Sequence, residues 1–458
     1  VDKIFKEKPM PHQAFLGTAF HAPAPDRLEV LQDALIVVGD DGAIDAIRPA
    51  DEAEPFRAAG RLTALEPGQI LLPGLIDLHV HAPQWPQLGK ALDVPLEDWL
   101  QKYTFPLEAR YADLAYAAPV YESLVAGLLA NGTTTALYFA TIHLPATKRL
   151  AEICLRRGQR ALIGLVAMDD PEQCPDDYRA ASAEQAAADT RALIDHIRAL
   201  PGNESGLVRP AITPRFIPSC TDDLLHRLGA LARETGCHVQ THCSESDWEH
   251  GFVLERCGVT DAAALAGFGL LSRRTILAHG NFLTDNDLEL IRQAGAGIAH
   301  CPLSNIYFAN AVFPLRHAMR RGAHVGLGTD IAGGPSASMF DSARMAVAAS
   351  RSLEGGVDGR SPPDRRGRPG SRIGAIEAFW LATAGGGIAL DLPIGLFRAG
   401  YQFDAIVIDA NRAASDLRVY PGDSPEDLLQ KIIYNAGKAD IVQAWVAASR
   451  ANAPDSSA

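Results

Sequence analysis

Two histidines stand two apart in Pro73-Gly74-Leu75-Ile76-Asp77-Leu78-His79-Val80-His81, at the end of an apolar run that reads as a strand. Side chains along a strand alternate, so His79 and His81 point to the same side. Two imidazoles on one side of a strand end are a ready pair of metal ligands. An isolated pair is more often two ordinary strand residues, but His242, His279 and Asp330 follow, each near the end of another short strand-like run. Neutral imidazoles with one carboxylate suit a borderline divalent ion such as zinc, with iron as the alternative. The expected direct ligands are His79, His81, His242 and Asp330. His279 is either a further ligand or a group that orients a metal-bound water. No lysine lies between Lys148 and Lys431, so no mid-chain lysine is available to bridge two metals, and one ion per chain is expected. Such an ion brings the pKa of its water towards neutrality. Asp330, in Gly326-Leu327-Gly328-Thr329-Asp330, could bind the ion and also accept that water's proton, with the small residues leaving room beside it.

Other residues carry two readings each. Glu245 follows His242 by three positions and could shuttle a proton without binding metal, or simply begin the next helix with Ser244. Arg215 and Phe216 end a strand-like run. They could bind a carbonyl or anion and stack on a flat ring, or form an inter-loop ion pair and a core aromatic. Gln84 and Trp85, just after the first histidine pair, invite the same two readings. Asp77 reads as a structural partner within its strand, His300 as packing or support behind the ligands, and His12 as a surface or core residue. Cys243, next to His242, points to the opposite side of its strand.

The elements that must position these residues have a clear rhythm. Residues 12–65 read as short strands, with Gly39-Asp40-Asp41-Gly42 as a hairpin turn between Ala34–Val38 and Ala43–Ile47. From about residue 68, apolar strands alternate with amphipathic helices. The strands are expected at Ile70–His81, Thr133–Ala140, Ala161–Met168, Val208–Phe216, His238–Cys243, Thr275–His279, Gly297–Cys301 and His324–Thr329. Eight alternating units predict an α/β fold, a (β/α)8 TIM-type barrel, and the candidate ligands all fall at the C-terminal strand ends where such barrels keep their chemistry. Arg351–Arg372, rich in Gly, Pro and Arg, reads as a mobile surface loop. Strand signals return at Ala405–Ile408 and Ile441–Ala448, so both chain ends are expected to share one small β-sandwich domain. The expected organisation is residues 1–67 as its first part, 68–384 as the barrel and 385–458 as its second part.

Composition narrows the function. A net charge of −13 spread along the chain argues against nucleic acid as a partner, and the basic clusters Arg316–Arg321 and Arg365–Arg368 read as surface. No apolar run is long enough to span a membrane, no secretory pattern opens the chain, and seven scattered cysteines contain no C-x-x-C pair. A cytoplasmic protein with reduced thiols is expected.

Taken together, the stretch from Pro73 to His81, the later His242, Ala278-His279-Gly280, Gly328-Thr329-Asp330 and the closing Phe403-Asp404-Ala405-Ile406-Val407-Ile408 resemble the amidohydrolase superfamily. Within it the likeness is to the guanine deaminase family. It rests on His81-Ala82-Pro83-Gln84, Pro95-Leu96-Glu97-Asp98-Trp99-Leu100, Lys102-Tyr103-Thr104-Phe105-Pro106, Thr213-Pro214-Arg215-Phe216 and Gly328-Thr329-Asp330-Ile331-Ala332-Gly333-Gly334. The resemblance implies zinc-dependent deamination of guanine to xanthine and ammonia, in purine catabolism. His79, His81, His242 and Asp330 would hold one zinc. Gln84, Trp85, Arg215, Phe216, His242, Glu245 and Asp330 would line the purine site, with Glu245, Asp330 and His279 as the catalytic groups. It also implies a homodimer. A related deaminase or chlorohydrolase acting on 8-oxoguanine or an aminotriazine is the alternative activity, and a non-catalytic barrel scaffold a remote one.

Overall fold

The computed structural model describes residues 13–309 and 311–451; His12 and the rest of residues 1–12 lie outside the described residues. Eight parallel strands form the barrel: Leu75–His81, Thr133–Phe139, Arg160–Ala167, Val208–Pro214, His238–Cys243, Thr275–His279, Gly297–His300 and His324–Leu327. They pair in chain order. Almost every strand residue is buried, as expected where helices cover the outer face and side chains fill the inside. The covering helices begin and end on local chemistry. Thr221 caps Asp222–Thr235 by accepting from the Leu224 amide, and Gly236 ends that helix in the left-handed conformation. Thr284 and Asp287 form a reciprocal cap on Asp285–Ala294.

The first and last barrel strands meet through a buried carboxylate. Asp77 accepts from the Thr329 amide at 2.9 Å, the Thr329 hydroxyl at 2.5 Å and the His79 amide at 3.2 Å. Beyond this latch, the Asp330 amide donates to the His79 carbonyl and the His81 amide to the Ile331 carbonyl. The barrel therefore closes at the point where the candidate ligands converge, and Asp77 is the structural partner its position suggested.

Both chain ends share one mixed sheet. Its order is Ser449–Arg450, Ile441–Val446, Ala405–Asp409, Gln69–Pro73, Gln13–Ala24, Arg27–Val38 and Ile44–Pro49, with Leu62–Ala64 alongside Gln13–Ala24. Phe15 stacks on Phe403 with ring centroids 3.9 Å apart, and Trp445 meets Phe15 edge-on. A buried ion pair joins this sheet to the barrel: Arg160 donates to Asp404 at 2.7 and 3.0 Å.

Two expectations need correction. The apolar run Ile70–His81 is not one strand. Gln69–Pro73 pairs antiparallel with Ala405–Asp409 in the mixed sheet, and Leu75–His81 starts the barrel. Gly74 makes the crossing, where a Cβ would lie 2.0 Å from Thr134 Oγ1. Both sheets bury both faces of this run, so its composition carries no sign of the break. The expected loop at Arg351–Arg372 is helical at its start, within Met339–Gly355. The rest folds back on that helix end, with Arg368 donating its amide to the Leu353 carbonyl and Ser371 to Glu354.

Candidate active site

The C-terminal strand ends bring His79, His81, His242, His279, Glu245 and Asp330 together. His79 Nε2 lies 3.1 Å from Asp330 Oδ1, and His81 Nε2 lies 3.6 Å from the same oxygen. His81 Nε2 faces His242 Nε2 at 3.0 Å. His279 Nε2 stands 3.6 Å from Glu245 and 3.9 Å from Asp330. The Phe139 ring packs on His79, His81 and His242, with centroids 4.7–4.9 Å away, and so fixes all three planes at once.

These atoms fit a metal ion. His242 Nδ1 lies 2.5 Å from the Arg215 carbonyl, which can only accept, so that nitrogen carries the proton and Nε2 keeps its lone pair. The same logic applies to His279, whose Nδ1 lies 2.9 Å from Asn305 Oδ1. His279 Nε2 is buried without a hydrogen-bond partner. Burial pushes the His79, His81 and His242 imidazoles down, keeping them neutral. Burial opposes ionisation of Asp330, while positive charge on His79, His279 or His81, and the His79 hydrogen bond, pull its carboxyl below the usual range. The ligand atoms of His79, His242 and His279, and of His79, His81 and Asp330, fall within 4.8 Å of one another. A borderline divalent ion prefers this mixture of neutral nitrogen and anionic oxygen.

The backbone here is shaped with some strain. Ser244, His279 and Asp330 have φ of 51°, 74° and 51°, a region non-glycine residues rarely adopt. Gly328 has a role other than the expected one. A Cβ there would lie 2.9 Å from His79 Cβ and from Cys301 Sγ, so the glycine admits the His79 strand itself rather than leaving room beside an ion.

A cavity opens over these groups, lined by His81, Gln84, Leu96, Trp99, Leu100, Arg215, Phe216, His242, Glu245, Phe308, Asp330 and Gly333. Glu245 is placed from two sides: its amide donates to Glu249 at 2.7 Å, and its carbonyl accepts from Asn281 at 2.8 Å. Burial pushes its carboxyl up. Arg215 is 3 % exposed and paired with the fully buried Glu108 at 2.7 Å. Gln84 donates to the same carboxylate at 2.8 Å and accepts from the Ala332 amide at 3.0 Å. Trp85 departs from expectation. Its indole donates to Ser123 at 3.1 Å, and the ring packs over Gly127 on the helix Leu114–Ala130. The chain turns as a short 3-10 helix after His81, which sends Gln84 inward and Trp85 outward. Cys243 lies in the apolar core and His300 packs against Phe313, so neither joins the ligand cluster.

Several members of this site were not singled out from the sequence as functional. Glu108 follows the Lys102–Pro106 stretch by two residues, and its full burial beside Arg215 was the missing fact. Leu96, Trp99 and Leu100 lie in a quoted stretch but had no role assigned. Asn305 links His279 to Asn281, which in turn holds the Glu245 carbonyl. Nothing in local sequence marks such a relay.

Comparison with known proteins agrees with this geometry. The profile of the amidohydrolase family matches residues 70–450. A probable guanine deaminase of Schizosaccharomyces pombe is 37 % identical over 94 % of the chain and 82 % of its own length. The human guanine deaminase is 35 % identical over 96 % of both chains. A crystal structure of guanine deaminase from C. acetobutylicum with bound guanine superimposes with a TM-score of 0.85 at 30 % identity, covering 96 % of this chain and all of the other. The chain is an enzyme of the amidohydrolase family.

Proposed function

We propose that this enzyme deaminates guanine hydrolytically to xanthine and ammonia, using one zinc ion held by His79, His81, His242 and Asp330. The observation that carries the reading is a buried, ion-paired Arg215 facing the same small cavity as a protonatable Glu245 and the ligand cluster. When bound, the ion supplies a water acidic enough to act as a nucleophile near neutral pH. Asp330 would accept the proton given up by the attacking water. Glu245 keeps its own proton to higher pH than an exposed glutamate. It donates to the ring nitrogen beside C2 as the new bond forms, then takes up the proton left on the added oxygen and passes it to the departing amine, after which the proton held by Asp330 restores Glu245. His279, steered by Asn305, orients the water between Glu245 and Asp330.

Arg215 binds the substrate carbonyl, Gln84 the purine edge, and Phe216 offers a flat face for stacking. A buried donor rejects an analogue that lacks the matching acceptor, which disfavours adenine. The setting is cytoplasmic purine catabolism by a homodimer. All seven cysteines are unpaired, six of them buried, which supports a reducing compartment. Among the described residues no helix is long and apolar enough to cross a membrane.

The test is ammonia release from guanine, adenine, 8-oxoguanine and an aminotriazine, with metal content measured on the same sample. Guanine far ahead with about one zinc per chain supports the reading. Guanine inert on metal-loaded protein discards the substrate.

A further inference from the structure

Glu108 has no role in the chemistry above, yet it is the most completely buried charge at the purine end of the cavity. Its side chain is 0 % exposed, on the short helix Phe105–Ala109. Three N–H donors converge on its two oxygens. Gln84 Nε2 reaches Oε1 at 2.8 Å, Arg215 Nη1 reaches Oε2 at 2.7 Å, and Arg215 Nη2 lies 3.4 Å from Oε1. The Phe105 ring lies under the guanidinium, 5.0 Å from its carbon. The opposite end of the Gln84 amide is also committed, because its oxygen accepts from the Ala332 amide.

This pattern can be satisfied by only one type of side chain. An amide at position 108 has one acceptor and one donor. If its oxygen keeps Arg215, its NH2 faces the NH2 of Gln84. If Gln84 then rotates, its own NH2 meets the Ala332 N–H. Only a group that accepts at both atoms lets Gln84 hold its orientation while Arg215 stays charge-paired. The remaining donors and acceptors that Gln84 and Arg215 offer the cavity are therefore set by Glu108, although it does not line the cavity itself.

We propose that Glu108 is a positioning and specificity-determining residue: it fixes the hydrogen-bonding pattern of Gln84 and Arg215 so that the site takes a purine with a ring carbonyl at position 6 and rejects one with an amine there. This rests on the function proposed above. It makes discrimination, rather than turnover alone, the property that Glu108 controls.

The experiment compares kcat/KM for guanine and for 2,6-diaminopurine, which keeps the 2-amino leaving group but replaces the carbonyl. The inhibition constant of 2,6-diaminopurine against guanine is a second readout. Wild type, Glu108→Gln and Glu108→Asp are measured with metal content determined on each. A ratio of kcat/KM values does not depend on how much of a sample is folded, so partial misfolding of a variant does not blur it. In Glu108→Gln the guanine preference should fall about tenfold or more, as expected when a charge-assisted contact is misdirected, with metal content unchanged. Glu108→Asp keeps both acceptors on a shorter stem and should lose less of the preference. An unchanged ratio in Glu108→Gln, with both substrates slowed alike, would show a packing role and overturn the assignment. Wild-type protein inert towards guanine would instead remove the proposed function, a separate failure visible before any variant is made.

Discussion

Asp77 offers a stability test that the geometry makes quantitative. Its Oδ1 accepts two buried main-chain donors, the amides of His79 and Thr329, and its Oδ2 accepts the Thr329 hydroxyl. Burial pushes its carboxyl up to about 7, so the protonated form is close at hand near neutral pH. Asp77→Ala strands both amides, and a buried unsatisfied donor costs about 1–3 kcal/mol, so the loss should be about 2–6 kcal/mol. Asp77→Asn keeps the oxygen for both amides. Its NH2 then faces the Thr329 hydroxyl, which can turn its proton away and accept, so the cost should be about 1 kcal/mol or less. The same latch sets the register of His79 against Asp330, whose amide donates to the His79 carbonyl. Asp77→Ala should therefore also weaken metal retention, while Asp77→Asn should not. Urea unfolding followed by tryptophan fluorescence, with metal content after dialysis, reads both effects. Equal destabilisation by the two variants, or a loss below about 1 kcal/mol for alanine, would refute the argument that these hydrogen bonds close the barrel.

Four other outcomes are expected. Glu245→Gln should keep its metal and lose about 10²–10⁴-fold in kcat, because the proton donor alone is removed; a steady-state assay with metal analysis reads this. Chelation should abolish ammonia release and lower the thermal midpoint, and zinc should restore both, since binding to the folded state alone stabilises it. Arg160→Met leaves the nearly buried Asp404 without its cation and should cost about 3–5 kcal/mol in urea unfolding, with Arg160→Met combined with Asp404→Asn recovering part of it. Burial pushes His238 down from its ordinary 6.5 to about 4. The unfolded chain then binds the proton first, so His238 withdraws about 3 kcal/mol of stability as pH falls from 6.5 to 4, and His238→Gln should flatten that limb of a pH–stability curve.

The barrel was legible because its signal is repeated. Eight apolar strands separated by amphipathic helices leave little room for another topology, and Thr275–His279 and His238–Cys243 stand where periodicity put them. The histidine cluster was legible for a related reason. His79 and His81 share one strand face, His242 and His279 stand at strand ends, and Asp330 follows the last strand by three residues, so the fold itself delivers them to one place. The break at Gly74 was not legible, since two sheets that bury the same apolar run impose the same composition on it. Trp85 was placed beside Gln84 in the purine site only through the resemblance, and the 3-10 turn after the strand sends the two side chains different ways.

Glu245 and Glu108 mark the limit more sharply, because they are the same residue type with opposite surroundings. Glu245 could be weighed from sequence since it sits three residues beyond His242, a candidate ligand on a strand whose end must reach the site. Glu108 sits on a five-residue helix, and its partners Gln84 and Arg215 come from two distant parts of the chain. The cost of burying a carboxylate is what makes such a residue informative: it persists in an apolar setting only where several donors meet it. That condition is one of three-dimensional coincidence, so it leaves no local pattern, but once the coordinates show three donors on one carboxylate it becomes a strong constraint. The groups that could perform the reaction are thus written in strand periodicity, whereas the group that would decide which ring they act on is written in the packing between elements.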